Sequence, residues 1–193
     1  MKSIRKSVII KVMMIDFKAN NEAGFTLIEL LVVMAVIGIL ATIAIGSFQS
    51  SQTKARDAQR KNDLNQISKA LETYYNDKGQ YPDDSAANEI DGCADVGAGP
   101  VTCDWGTEWS DENGTVYMVE LPADPGSSGL NYYYISDGNF YQLYARLEND
   151  LDSSIPTLLD ESADYGISCG GGYNCNYGVS SSNIAVDEGR TIE

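Results

Sequence analysis

Glu29 is the most chemically loaded residue of this chain, because of where it stands. It lies in Gly24-Phe25-Thr26-Leu27-Ile28-Glu29, at the head of an apolar run that continues to Ile45. An ionised acid inside such a stretch costs about 2.5–3.5 kcal/mol at the centre of a bilayer-spanning helix and less near its edge. A residue of this kind is a functional hypothesis in itself, and it requires a partner. No Lys or Arg occurs between Lys18 and Lys54, so the chain offers the carboxylate no nearby cation. Cleavage after Gly24 would supply one by freeing the amino group of Phe25. A plain membrane anchor, or an ordinary secretory signal cut near Ala44-Ile45-Gly46, accounts for the hydrophobicity alone. Neither accounts for the acid, nor for a Gly-Phe junction that precedes the apolar run.

Other candidate chemistry is sparse. The chain has no histidine, so the usual base for a Ser or Cys nucleophile is missing, and an enzyme is not expected. Gly170-Gly171-Gly172 lacks the following Lys-Ser/Thr of a phosphate loop and reads as a tight turn. Asp150, Asp152, Ser154 and Glu161 occupy positions one, three, five and twelve of a calcium-loop spacing. Ile155 then stands where that loop requires Gly and Leu158 where it requires a further ligand, which argues against an EF-hand. Asn113-Gly114-Thr115 is a glycosylation triplet of the kind that arises often by chance.

Charge and cysteine narrow the compartment. Of 13 bases and 28 acids, residues 1–24 hold five and two, so the remainder carries 8 and 26, a net −18. From Gln80 onward there are 21 acids against Arg146 and Arg190. Such a surface repels phosphate backbones and anionic lipid, and direct nucleic-acid binding is not expected. Cys93, Cys103, Cys169 and Cys175 all lie in this acidic part, spaced unlike the closer pairs or histidine sets of zinc sites. They read as two disulfides formed in an oxidising compartment. Three pairings are open, the most local being 93–103 with 169–175. Closing such loops contributes about 2–3 kcal/mol each on a chain-entropy basis.

The elements that must position these groups follow from periodicity. Residues 25–78 contain no proline and are mostly good helix formers, enough for a helix about 80 Å long. Residues 25–48 are apolar all round, while in residues 49–78 Leu64, Ile67, Leu71, Tyr74 and Tyr75 form a stripe that should pack on a sheet. Gly38 and Gly46 interrupt the apolar half, as sites of close helix packing or of local unwinding. Asp77-Lys78-Gly79 with Pro82 supplies a helix stop. Strands are expected over 115–121, 130–136 and 140–147, the last two joined at Asp137-Gly138-Asn139. Residues 81–114 read as loop-rich and 148–193 as irregular. Lys54, Arg56, Arg60 and Lys61 follow the apolar run as the bases of residues 1–24 precede it, so charge asymmetry does not decide the orientation.

Gly24-Phe25-Thr26-Leu27-Ile28-Glu29 with its apolar run resembles the prepilin signal of type IV pilins and type II secretion pseudopilins. Tyr74-Tyr75-x-x-x-Gly79-x-Tyr81-Pro82 and Leu121-Pro122-x-Asp124-Pro125 look like passages of the major pseudopilins. The resemblance implies an α+β, pilin-like fold, a long N-terminal helix with a transmembrane first half packed on a small antiparallel sheet. Its domains would be a leader (1–24), a membrane or filament-core helix (25–48), an amphipathic helix (49–78) and an acidic head (79–193). The leader is long for this family, and a start at Met13 or Met14 would leave a short polar one. At Gly46 many family members carry proline instead.

What the family implies for function is a filament subunit anchored in the cytoplasmic membrane with its head outside. A prepilin peptidase would cut after Gly24 and methylate Phe25, and Glu29 would face the amino terminus of a neighbouring copy. The implied partners are further copies of the chain, minor pilins or pseudopilins, a membrane assembly platform and a motor ATPase. A calcium ion held by some of Glu148, Asp150, Asp152, Asp160, Glu161 and Asp164 is also implied, against a solvated acidic face. A secretion pseudopilus and a surface pilus for adhesion, twitching or DNA uptake compete as the filament. A membrane-anchored binding protein that does not polymerise is the rival from another class.

Overall fold

A computed structural model describes residues 24–95, 99–126, 129–158 and 161–189. The chain divides into two compact units, Met1–Ile45 and Gly46–Glu193. One helix, α1 (Leu27–Lys78), contributes to both. In the first unit its large apolar side chains, from Leu27 to Leu40, are exposed. Among the described residues α1 is the one helix long and apolar enough to cross a membrane. The remainder of the leader, with Met1, Met13 and Met14, lies outside the described residues.

In the second unit α1 turns amphipathic and ends as its sequence directs. Gly79 takes a positive φ of 76° and donates its N–H to the Tyr75 carbonyl at 2.8 Å, closing the last turn. Leu64, Ile67, Leu71 and Ala70 are buried, and Tyr74 is partly so. Tyr75 departs from the expected stripe. It lies at the rim, exposed, with its ring 4.6 Å from that of Tyr81.

Against this face pack β6 (Tyr133–Ser136) and β7 (Tyr141–Ala145), an antiparallel hairpin turned at Gly138, whose φ is 84°. Asp137 accepts the amides of Asn139 and Phe140 and holds the turn. Tyr141, Leu143 and Ala145 join the helix stripe in one core, where the hydroxyls of Tyr141 and Ser68 meet at 2.6 Å. The opposite face of β7 is covered as well. The Tyr144 hydroxyl donates to the Val186 carbonyl at 2.6 Å, and Gln142 donates to the carbonyls of Ala185 and Glu188. Every residue of β7 is therefore buried.

The segments read as loop and as irregular tail contain most of the remaining strands. β1 (Asp83–Asp84), β2 (Ile90–Asp95) and β3 (Gly99–Thr102) form a sheet in that order, and β4 (Trp109–Ser110) pairs with β5 (Val116–Met118). In the tail β8 (Thr157–Leu158) pairs with β9 (Glu161–Ser162). There too β10 (Tyr177–Ser180) joins β7 on the side away from β6. The strand expected over 115–121 is confined to the three residues of β5. These strands escaped a reading by alternation because β2 carries Asp, Gly and Cys where apolar residues would signal a face, and β10 has only Val179 and Tyr177 to mark one.

Gly178 shows how tightly the tail is laid. A Cβ there would fall 2.6 Å from Val186 Cγ2 and 2.7 Å from Tyr144 Cδ1. Gly178→Ala should therefore cost about 1–3 kcal/mol as an overpacked site. Denaturant unfolding of the solubilised chain checks this, and a change within a few tenths of a kcal/mol would show that the tail yields freely.

Candidate assembly site

The first candidate site is the start of α1. Thr26 stands one residue ahead of the helix, and its Oγ1 accepts the Glu29 amide at 3.2 Å. The Glu29 carboxylate in turn receives the Thr26 amide at 3.5 Å. This reciprocal arrangement is a capping box, which occupies two amides that the first turn leaves unpaired. It also sets a negative charge at the positive end of the helix dipole. Phe25 is exposed beside it. Gly24 is not in the left-handed region, and a Cβ on it would meet nothing within 4 Å, so the described fold does not demand glycine there. The same open space surrounds Gly38 and Gly46.

The second site is a network of charges that the sequence did not reveal. Arg60 is wholly buried. Its Nε and Nη2 donate to the two oxygens of Asp124 at 2.7 and 2.9 Å, its Nη1 to Asp57 at 2.8 Å, and Nη2 also reaches Glu148 at 2.8 Å. Asp57 accepts the amides of Glu148 and Asn149, each at 2.9 Å, and Asp124 accepts the amide of Gly126 at 2.7 Å. Arg56 forks onto Glu148. Burial alone would lower the pKa of Arg60, but the hydrogen bonds to Asp124, Glu148 and Asp57 raise it instead. Close by, Asp63, which falls between the stripe residues of α1, is buried and accepts the Tyr132 hydroxyl at 2.7 Å. Leu121-Pro122-x-Asp124-Pro125 thus has a physical role, since it brings Asp124 to Arg60 with Leu121 in the core.

The calcium candidates that are described each have a partner within the protein. Asp150 pairs with Arg146 at 2.8 Å, Asp152 with Lys61 at 2.5 Å, and Asp164 accepts from Asn174 and from the Gly166 amide. Glu148 is taken by the two arginines. Asp160 and the side chain of Glu161 lie outside the described residues. Among the described residues no group of three or more acids, cysteines or histidines could hold a metal. The cysteines pair as Cys93–Cys103 and Cys169–Cys175, the first closing the β2–β3 hairpin.

Comparison with known proteins bears on the start of α1 and on the family. A model described as the prokaryotic N-terminal methylation motif matches residues 19–45. The type IV major pilin protein PilA of Myxococcus xanthus is 43% identical over 74 residues, 38% of this chain and 32% of the pilin. The chain thus spans about a third of that relative's length. The type II secretion system core protein G of Pseudomonas aeruginosa is 32% identical over 120 residues, 62% of this chain and 77% of that protein. Its Escherichia coli counterpart is 27% identical over 149 residues, 77% and 94% of the two chains. No solved structure matches the chain. A methylation-type signal, an exposed apolar helix and a small antiparallel head define a pilin-like α+β protein. The chain belongs to the type IV pilin and type II secretion pseudopilin family.

Two outcomes test the charge network. Arg60→Met should destabilise by about 3–5 kcal/mol, because Asp57 and Asp124 lose their buried partner. A loss under 1 kcal/mol by chemical denaturation would show that the carboxylates find other partners. The acid response is the second. Arg56, with help from Arg60, holds Glu148 down to about 2, from an ordinary value of 4.5. A depressed folded value contributes stability above the unfolded pKa that is lost as pH falls, here from about 4.5 towards 2. Asp63 acts with the opposite sign, since burial raises its pKa and its protonation relieves that cost. Glu148→Gln should flatten the acid limb of the stability profile, and an unchanged limb would remove Glu148 as its source.

Proposed function

We propose that this chain is a structural subunit of a pilus-like filament, most closely that of a type II secretion pseudopilus. The observation that carries the reading is Glu29, set in a capping box at the start of an exposed apolar helix and directly behind Gly24-Phe25. The precursor resides in the cytoplasmic membrane through the apolar part of α1, with the acidic, disulfide-bonded head outside. A prepilin peptidase cuts after Gly24 and methylates Phe25. Nothing in the described fold requires glycine at position 24, so the requirement belongs to the processing enzyme. Bare space around Gly38 and Gly46 likewise fits helices supplied by neighbouring copies, which small residues allow to approach closely.

Glu29 then neutralises the new amino group of an adjacent subunit. In apolar surroundings a misplaced copy leaves a charge unpaired, so this one pairing sets the register of addition. Minor pilins or pseudopilins, an assembly platform and a motor ATPase complete the machine. The secretion reading is preferred because the likeness to core protein G runs through helix and head, whereas the likeness to PilA covers 38% of the chain. A pilus for adhesion, motility or DNA uptake is the alternative.

Glu29→Gln should leave cleavage intact and abolish assembly. Intact mass of chain recovered from native membranes reads the first, beginning at methylated Phe25. The sheared surface fraction reads the second. Normal polymers from Glu29→Gln subunits would sink the pairing, and an uncut chain in cells with active peptidase would return the helix to the role of an ordinary anchor.

A further inference from the structure

Resting on the filament reading, we propose that the acidic loop bearing Leu151 docks into the groove between α1 and β5 of a second copy, where Asp150 meets Lys69. Two observations single out the surfaces. Leu151 is 93% exposed and Val119 82%, the most exposed large apolar side chains among the described residues of the second unit. They belong to opposite partners of the proposed contact. Val119 lines the groove with Gln66, Lys69, Ala70, Thr73 and Tyr117.

Charge points the same way. Among the described residues Arg56, Arg60, Lys61, Lys78 and Arg146 are each committed to an acid of their own chain. Lys54 and Lys69 are exposed and make no such pair. In a molecule so rich in acids, an unpaired lysine beside uncovered apolar surface is the natural seat for an acidic, apolar-tipped loop. Asp150 gives one oxygen to Arg146 and remains more than half exposed.

The loop is prepared for this. Lys61 donates to Asp152 Oδ1 at 2.5 Å and to Ser154 Oγ at 2.9 Å, Asp152 accepts the Ser154 amide at 2.9 Å, and Ile155 anchors the end in the interior. Leu151 is thereby held out as a fixed knob, and little ordering entropy remains to be lost on contact.

The exposure of both surfaces assigns the contact to two copies. The loop is tied to α1 at Lys61, and the groove's cation, Lys69, lies about 12 Å further along the axis and about 80° around it. Within one chain Leu151 and Val119 both stay exposed, so the loop does not fill the groove of its own copy. The patches differ, so the contact is head-to-tail, and repetition of such a contact builds an open helical array in place of a closed pair.

The test uses the full chain expressed with its own assembly machinery. Lys69→Glu and Asp150→Lys should each lower the sheared polymer fraction at least about fivefold, and the double reversal should restore most of it. As a second measurement, a chain carrying both Leu151→Cys and Val119→Cys should give a ladder of covalent multimers when its polymers are oxidised, and neither single variant should. The inference is overturned if the double reversal is as defective as the singles, or if normal polymers of the two-cysteine chain give no ladder. A wild-type chain that forms no polymers at all would overturn the filament reading itself, so the two failures are told apart.

Discussion

One buried guanidinium organises the head. Arg60 lies on the same helix as the apolar stripe and directs four contacts onto three carboxylates, one from α1 and two from distant loops. Burying an arginine is costly unless its hydrogen bonds are complete, and a buried pair is often no more stabilising than a well-packed apolar substitute. What it supplies here is position. Asp124 brings in the segment after Leu121, Glu148 the segment after β7, and Asp57 clips the amides of Glu148 and Asn149 to the helix. Two connections that have no strand to fix them are indexed to a single side chain.

This use of bases explains why the charges after the apolar run give no clear topological signal. Arg56, Arg60 and Lys61 are committed to Glu148, Asp124 and Asp152, and are therefore structural groups of the head. They also engage Glu148 and Asp152, two of the carboxylates considered for calcium. Asp152 has its pKa lowered by the Lys61 ammonium and by the Ser154 amide, so the loop's carboxylate is kept ionised by a protein cation. An ammonium with three donors can do the work of gathering oxygens in a loop, though without a metal's coordination geometry.

The start of α1, the stripe at Leu64, Ile67 and Leu71, the stop at Gly79 and the β6–β7 turn were legible because each rests on local chemistry: an apolar period, a glycine at positive φ, a turn triplet. Glu29 was legible because an acid in an apolar run is itself anomalous, although its bond to the Thr26 amide appears only once the helix start is seen. The short strands β1 to β4, and β10, were not legible. Their residues are polar or glycine, and what fixes them is a disulfide, a Gly178 overlaid by Val186, or hydrogen bonds from side chains far away in sequence. Arg60 and Asp63 were hidden for the same reason. A charged residue on a helix is normally solvated, and only tertiary partners more than 60 residues away reverse that expectation.

The charge balance finally constrains how copies of this chain can associate. With its bases turned inward, the head presents mostly uncompensated acid, and adjacent heads in any array repel one another. At physiological salt that repulsion decays over about 8 Å, so it acts mainly between surfaces in near contact. Attraction must therefore come from groups that do not add to the acidity: the exposed apolar helix from Leu27 onward, whose burial is worth about 25 cal/mol per Å² of apolar surface, and the few uncommitted cations. Such a division leaves the apolar helix to supply affinity while the heads supply orientation, since a head turned wrongly brings acid against acid. Salt that screens the heads should relax orientation before it weakens cohesion, because apolar burial does not depend on charge.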